Sequence, residues 1–151
     1  MAAILILDKG IEAVTMEGVA AAAGVPRAGQ AMLALLERGD AGNQALLAEP
    51  LELLALAYLT LLPREHPAFD PVAAFHLANG ARLERINTFA DPTPRTRETA
   101  YGVMVNYLYE PDEVIENHEH FVTSGQIAMS KRLARVHEKL AAAWRARASP
   151  P

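Results

Sequence analysis

The chain has 151 residues, 51% hydrophobic and 21% charged, with a formal net charge of −4. That length holds one domain or a part of one, and the charge gives no general attraction to nucleic acid or to an anionic membrane. No cysteine is present. This excludes disulfides, a thiol nucleophile and thiolate metal sites, and it suits a reducing cytoplasm.

Residues 1–62 read as helices, placed at about 2–8, 16–23, 27–38 and 50–62. Gly10 interrupts the first, Gly24-Val25-Pro26 stops the second, and Arg38-Gly39-Asp40 ends the third. Pro50 suits the first turn of the fourth. The run PLELLALAYLTLL is apolar nearly all round, as a helix buried on most sides requires. No apolar run reaches the roughly 20 residues of a membrane span. Met1 to Leu7 lacks the basic flank and cleavage site of a signal peptide.

After a connector at 63–70 the period changes to two. PVAAFHL and ARLERIN flank Asn79-Gly80, a strong hairpin signal. Residues 91–100 (DPTPRTRETA) carry two prolines and no apolar periodicity, which predicts a loop. YGVMVNYLY, 101–109, predicts a third strand. An acidic segment follows with Glu110, Asp112, Glu113, Glu116 and Glu119. Ser130 suits the cap of a last helix, about 131–147, with Leu133, Val136, Leu140 and Trp144 on one stripe. The fold class expected is α+β: N-terminal helices, a small antiparallel sheet of a hairpin plus a third strand, and a C-terminal helix. The segments are 1–62, helical; 63–147, mixed; and 148–151, a tail.

In the hairpin reading His76 pairs with Leu83, on a face shared with Val72, Ala74, Arg85 and Asn87, and Arg85 lies diagonal to the imidazole. Pattern alone leaves two roles open for His76, packing with a satisfied hydrogen bond or chemistry. His118 and His120 form an H-x-H pair, but on a helix residues two apart do not share a face, and the zinc-protease pattern H-E-x-x-H is absent; a solvated acidic surface is expected, with no metal. The last helix carries Lys131, Arg132, Arg135, Lys139, Arg145 and Arg147 against Glu138. These suit a solvated face or the acidic segment 110–119. Dinucleotide, phosphate-loop and nucleophile-elbow motifs are absent, and the serines are Ser124, Ser130 and Ser149.

GIEAVTMEGVAAAAGVPRAG resembles the helix-turn-helix of TetR-type repressors. Its second helix offers Arg27 and Gln30, then Ala31, Met32 and Leu33. Residues 1–50 hold three cations and six anions, a poor footprint for DNA. A DNA-binding regulator is therefore the weaker alternative, and no nucleic-acid or membrane partner is expected.

Three longer pieces, DPVAAFHLANGARLERIN, GVMVNYLY and EPDEVIENHEHFV, occur in order from Asp70 onward. Together they resemble the C-terminal end of malonyl-CoA decarboxylases, lyases of fatty acid metabolism that convert malonyl-CoA to acetyl-CoA and carbon dioxide. The resemblance implies a partial acetyltransferase-like fold and no cofactor, CoA being part of the substrate. It maps the family's catalytic histidine onto His76, and it places Arg85, Asn87, Asn106, Tyr107 and Tyr109 in matching motifs, as pocket residues or behind the pocket.

The family's serine and its CoA pyrophosphate loop belong to upstream strands, so the resemblance implies a C-terminal fragment, inactive by itself. The alternative within this reading is a non-catalytic remnant that binds an acyl-CoA or a partner chain. A sheet without its preceding strands implies self-association, or an upstream chain that completes the domain. Two positions depart from the family: Thr88 follows Asn87 in place of an aromatic residue, and Thr96 stands where a turn glycine is usual.

Overall fold

The computed structural model of the chain describes residues 2–3, 41–62, 65 and 69–148. Among these, five helices and a small antiparallel sheet give an α+β fold. In chain order the elements are β1 (Ala2–Ala3), α1 (Ala41–Leu61), α2 (Pro71–Ala78), β2 (Arg82–Asn87), α3 (Pro94–Ala100), β3 (Met104–Leu108), α4 (Val114–Ser124) and α5 (Lys131–Ala148). The helices expected at 16–23 and 27–38, and with them the helix-turn-helix, lie outside the described residues.

The sheet order is β1-β3-β2. β2 and β3 pair antiparallel, Ile86 opposite Val105 and Arg85 opposite Asn106, with an irregularity between Leu83 and Arg85. That extra residue re-aims the strand, as a bulge does. On the other side of β3, Ala2 and Ala3 pair with Val105 and Met104. These two residues were expected to open a helix; strand pairing at a free edge overrides alanine's helix preference.

α1 begins nine residues before the expected start, so Pro50 lies inside the helix and not at its first turn. The carbonyl that loses its donor belongs to Leu46, a residue 72% exposed. Leu51, Leu54, Ala55, Leu56, Ala57, Tyr58 and Leu59 are all buried, as the nearly uniform apolar run predicts. α1 has the length and apolar character of a membrane span, but here it packs on α5 and β2 as a core helix. Leu83, Ile86, Val105, Leu133 and Leu140 complete that core.

The expected hairpin is corrected. PVAAFHLA is a helix, α2, and not a strand. Asp70 caps it by accepting from the Ala73 N–H at 2.8 Å, and Pro71 takes the first turn. Ala73 and Leu77, four apart, form its buried stripe. Asn79-Gly80 ends the helix and does not turn a hairpin. The Gly80 N–H donates to the Leu77 carbonyl and the Ala81 N–H to the His76 carbonyl, with Gly80 at φ +84, the pattern of a Schellman stop. In so short an apolar stretch both periods are present, and the Asp-Pro start decides between them.

Residues 91–100 are corrected as well: they contain α3, with Pro94 in its first turn. Residue 96 is helical, so the threonine there does not disturb a turn; its hydroxyl donates to Asp91 at 2.7 Å. Ser130 caps α5 as expected, accepting from the Leu133 N–H at 3.4 Å. Glu110 and Glu113 pair with Arg82, and Arg132 of α5 pairs with Glu52 of α1.

Candidate active site around His76

His76 stands in the last turn of α2. Its imidazole lies flat on the Tyr107 ring, with centroids 4.4 Å apart and planes 13° apart. Its Nδ1 is 2.8 Å from the Tyr109 hydroxyl, and Phe75 meets it edge-on at 5.3 Å. β3 presents Tyr107 on the face that also carries Val105, and Tyr109 follows two residues later. The imidazole is thus fixed by a ring beneath it and a hydroxyl beside it, and Phe75, 64% exposed, stands at the open side.

Burial of the imidazole disfavours its cation and lowers the His76 pKa below the ordinary histidine value. At neutral pH the ring is therefore neutral. If the Tyr109 O–H donates to Nδ1, the ring proton sits on Nε2, which has no partner among the described residues. Tyr107 is pushed above the usual phenol range by burial first and then by the Asp70 carboxylate. Tyr58 is pushed up to about 12 by the same two causes. Asp70, 1% exposed, thus adds a negative charge near the two phenols, a smaller cause than their own burial.

The expected site residues divide into two groups. His76, Tyr107 and Tyr109 come together. Arg85, Asn87 and Asn106 do not join them, because the β2–β3 register puts them on the other face of the sheet. There the Asn87 amide donates to Asn106 Oδ1 at 2.6 Å; Arg85 and Asn106 line an open cleft of about 800 Å³ with Glu84 and Arg132, and Tyr107 also borders it. The expected placement of Arg85 diagonal to His76 is overturned, because α2 is not a strand of the sheet. His118 and His120 lie on α4, and His118 Nδ1–H donates to the Ala78 carbonyl at 2.6 Å. Sequence reasoning missed Asp70 and Phe75 as parts of the site. The Asp-Pro pair, a helix-start signal, was the available clue to Asp70.

Comparisons with known proteins give the family of the chain. The family model for the malonyl-CoA decarboxylase C-terminal domain matches residues 12–149. The mitochondrial malonyl-CoA decarboxylase of Rattus norvegicus is 33% identical over 108 residues, which is 69% of this chain and 22% of that protein. That of Anser anser anser is 37% identical over 84 residues, 56% of this chain and 17% of its own length. The crystal structure of malonyl-CoA decarboxylase from Rhodopseudomonas palustris superimposes with a TM-score of 0.66 at 35% identity, covering 73% of this chain and 26% of that one. The chain spans about a quarter or less of the length of these relatives, and on the match of its own length it belongs to the malonyl-CoA decarboxylase C-terminal domain family.

Proposed function

We propose that the chain supplies the histidine-bearing part of a malonyl-CoA decarboxylase site, with His76 as the group that meets the substrate. The observation that carries this reading is the seating of His76 between Tyr107 and Tyr109 in a chain of this family. In the reaction the bond between the α-carbon and the carboxylate breaks and carbon dioxide leaves. The bonding electrons pass to the thioester oxygen as an enolate, and a proton then adds at the α-carbon to give acetyl-CoA. A neutral imidazole held by Tyr109 at Nδ1 directs Nε2–H outward, where it donates to the thioester oxygen as charge develops there. Where Nε2 gives that proton to the α-carbon, the Tyr109 O–H passes its own to Nδ1, so no imidazolate is left and the phenolate is reprotonated from solvent. Phe75 and the Tyr107 ring give the reacting carboxylate an apolar surround in place of water. No separate cofactor enters this scheme, since CoA arrives with the substrate.

Under the same reading the family's serine and the CoA pyrophosphate contacts come from upstream sequence. The remaining serines of the described part serve locally: Ser124 donates to the His120 carbonyl and Ser130 caps α5. The edge of the small sheet and the exposed Leu46, Phe75 and Ile115 support self-association or completion by an upstream chain. A reducing compartment, cytoplasmic or mitochondrial, suits a cysteine-free chain.

The test is acetyl-CoA formation from malonyl-CoA by the purified chain beside His76→Ala. Turnover lost in the variant supports the assignment, and turnover that survives it refutes it. Silence in both assigns the reaction to a longer assembly and favours the binding remnant for the isolated chain.

A further inference from the structure

α2 has only eight residues, about 12 Å of helix, too short to hold itself in water. Its start is pinned by the buried Asp70 cap. Its end, one turn from the imidazole, is pinned by α4. Val114, Asn117 and His118 are spaced i, i+3, i+4 and so share one face of that helix. The Asn117 amide donates to the Gly80 carbonyl at 3.2 Å, and His118 Nδ1–H donates to the Ala78 carbonyl at 2.6 Å. Val114 reaches the same point with its backbone: a Cβ on Gly80 would sit 2.2 Å from the Val114 carbonyl oxygen. The Schellman bonds satisfy the His76 and Leu77 carbonyls from within; those of Ala78 and Gly80 receive donors from α4.

We propose that Asn117 and His118 are positioning residues for His76, two donors that clamp the carboxyl end of α2 so that the imidazole stays on Tyr107. The H-x-H pair then separates by function, His118 in the clamp and His120 outside it, although both are exposed. The importance of the clamp for turnover rests on the decarboxylase reading; its effect on the imidazole does not.

The experiment is nuclear magnetic resonance of histidine-labelled chain at mildly alkaline pH, with amide hydrogen exchange as a second readout. The variants are Asn117→Asp and His118→Leu, singly and together, with His118→Asn as the rescue and His120→Ala as the control. Stacking on Tyr107 shifts the His76 ring protons upfield by the ring current. The double variant is expected to move them downfield and to speed exchange of the Gly80 and Ala81 amides by about tenfold or more. His118→Asn, which keeps an N–H donor near the Nδ1 position, restores both, and His120→Ala changes neither. The proposal is overturned if the His76 signals stay at their original positions in a folded double variant, or if His118→Asn behaves like His118→Leu. Should the double variant fail to fold, the single variants decide by the same signals. In a longer protein that turns over malonyl-CoA, the clamp variants lower kcat with KM little changed. A failed decarboxylase assignment leaves the resonance result standing.

Discussion

Gly80→Ala probes the joint between α2 and α4 with one methyl group. Gly80 sits at φ +84, and the new Cβ would lie 2.2 Å from the Val114 carbonyl oxygen, 2.9 Å from its carbonyl carbon and 2.9 Å from its Cγ1. Two costs arise. The left-handed backbone penalises a Cβ by about 1–2 kcal/mol. Relieving the overlap displaces the first turn of α4, an overpacking cost of about 1–3 kcal/mol. Together they amount to about 2–5 kcal/mol, a large share of the about 5–15 kcal/mol that holds a domain folded. For a chain of this size the melting temperature falls by about 4–20 °C. Gly125→Ala is the matched control, because Gly125 has φ +71 but nothing within 4 Å of its would-be Cβ. Its loss is only the backbone penalty, partly offset by a less flexible unfolded chain. Thermal unfolding followed by circular dichroism separates the two. Equal losses in both variants would refute the steric argument, because only Gly80 faces a neighbouring carbonyl.

Three further outcomes follow from the same coordinates. Asp70→Ala removes the acceptor of the Ala73 N–H and is expected to cost about 1–2 kcal/mol; Asp70→Asn, which keeps an acceptor, costs less, and urea midpoints rank the two. His76 and His137 both have pKa values lowered first by burial, so the unfolded chain binds more protons than the folded one below the free-histidine value of about 6.5. Stability is therefore full above that value and is lost as pH falls toward the lowered folded values; urea midpoints are expected to drop between about pH 7 and pH 5, less steeply in His137→Leu, and a midpoint that rises on acidification contradicts this. Gel filtration is expected to show self-association, and a cooperatively unfolding monomer at all concentrations would contradict the open-edge argument.

The sequence carried the class of the fold and, in its second half, β2, β3 and α5, but not α3 or α4. β2, β3 and α5 were legible because alternation, Val and Tyr content, and Ser130 before an amphipathic stripe are local signals. The α2 segment misled because Asn-Gly serves a hairpin turn and a helix stop equally well, and because eight apolar residues satisfy both periods. The early start of α1 was hidden by Pro50, which reads as a first-turn residue and stands here within a helix. Which face Arg85, Asn87 and Asn106 share depended on register, and the one-residue irregularity after Leu83 is invisible to pattern. The pairing of His76 with Tyr109, 33 positions apart, arises only once α2 lies against β3. The matching motifs hold all of these residues, while the fold puts the stacked histidine on one face of the sheet and the asparagine pair on the other.

The central claim is that His76, seated on Tyr107 and bonded to Tyr109, is the substrate-facing histidine of a decarboxylase site. Its most direct test replaces the matching segment of the Rhodopseudomonas palustris enzyme with residues 70–148 of this chain and measures acetyl-CoA formation from malonyl-CoA. The account predicts that the folded chimera turns over and that His76→Ala lowers kcat by about 100-fold or more with the fold unchanged. A chimera that keeps its activity without the imidazole would contradict it.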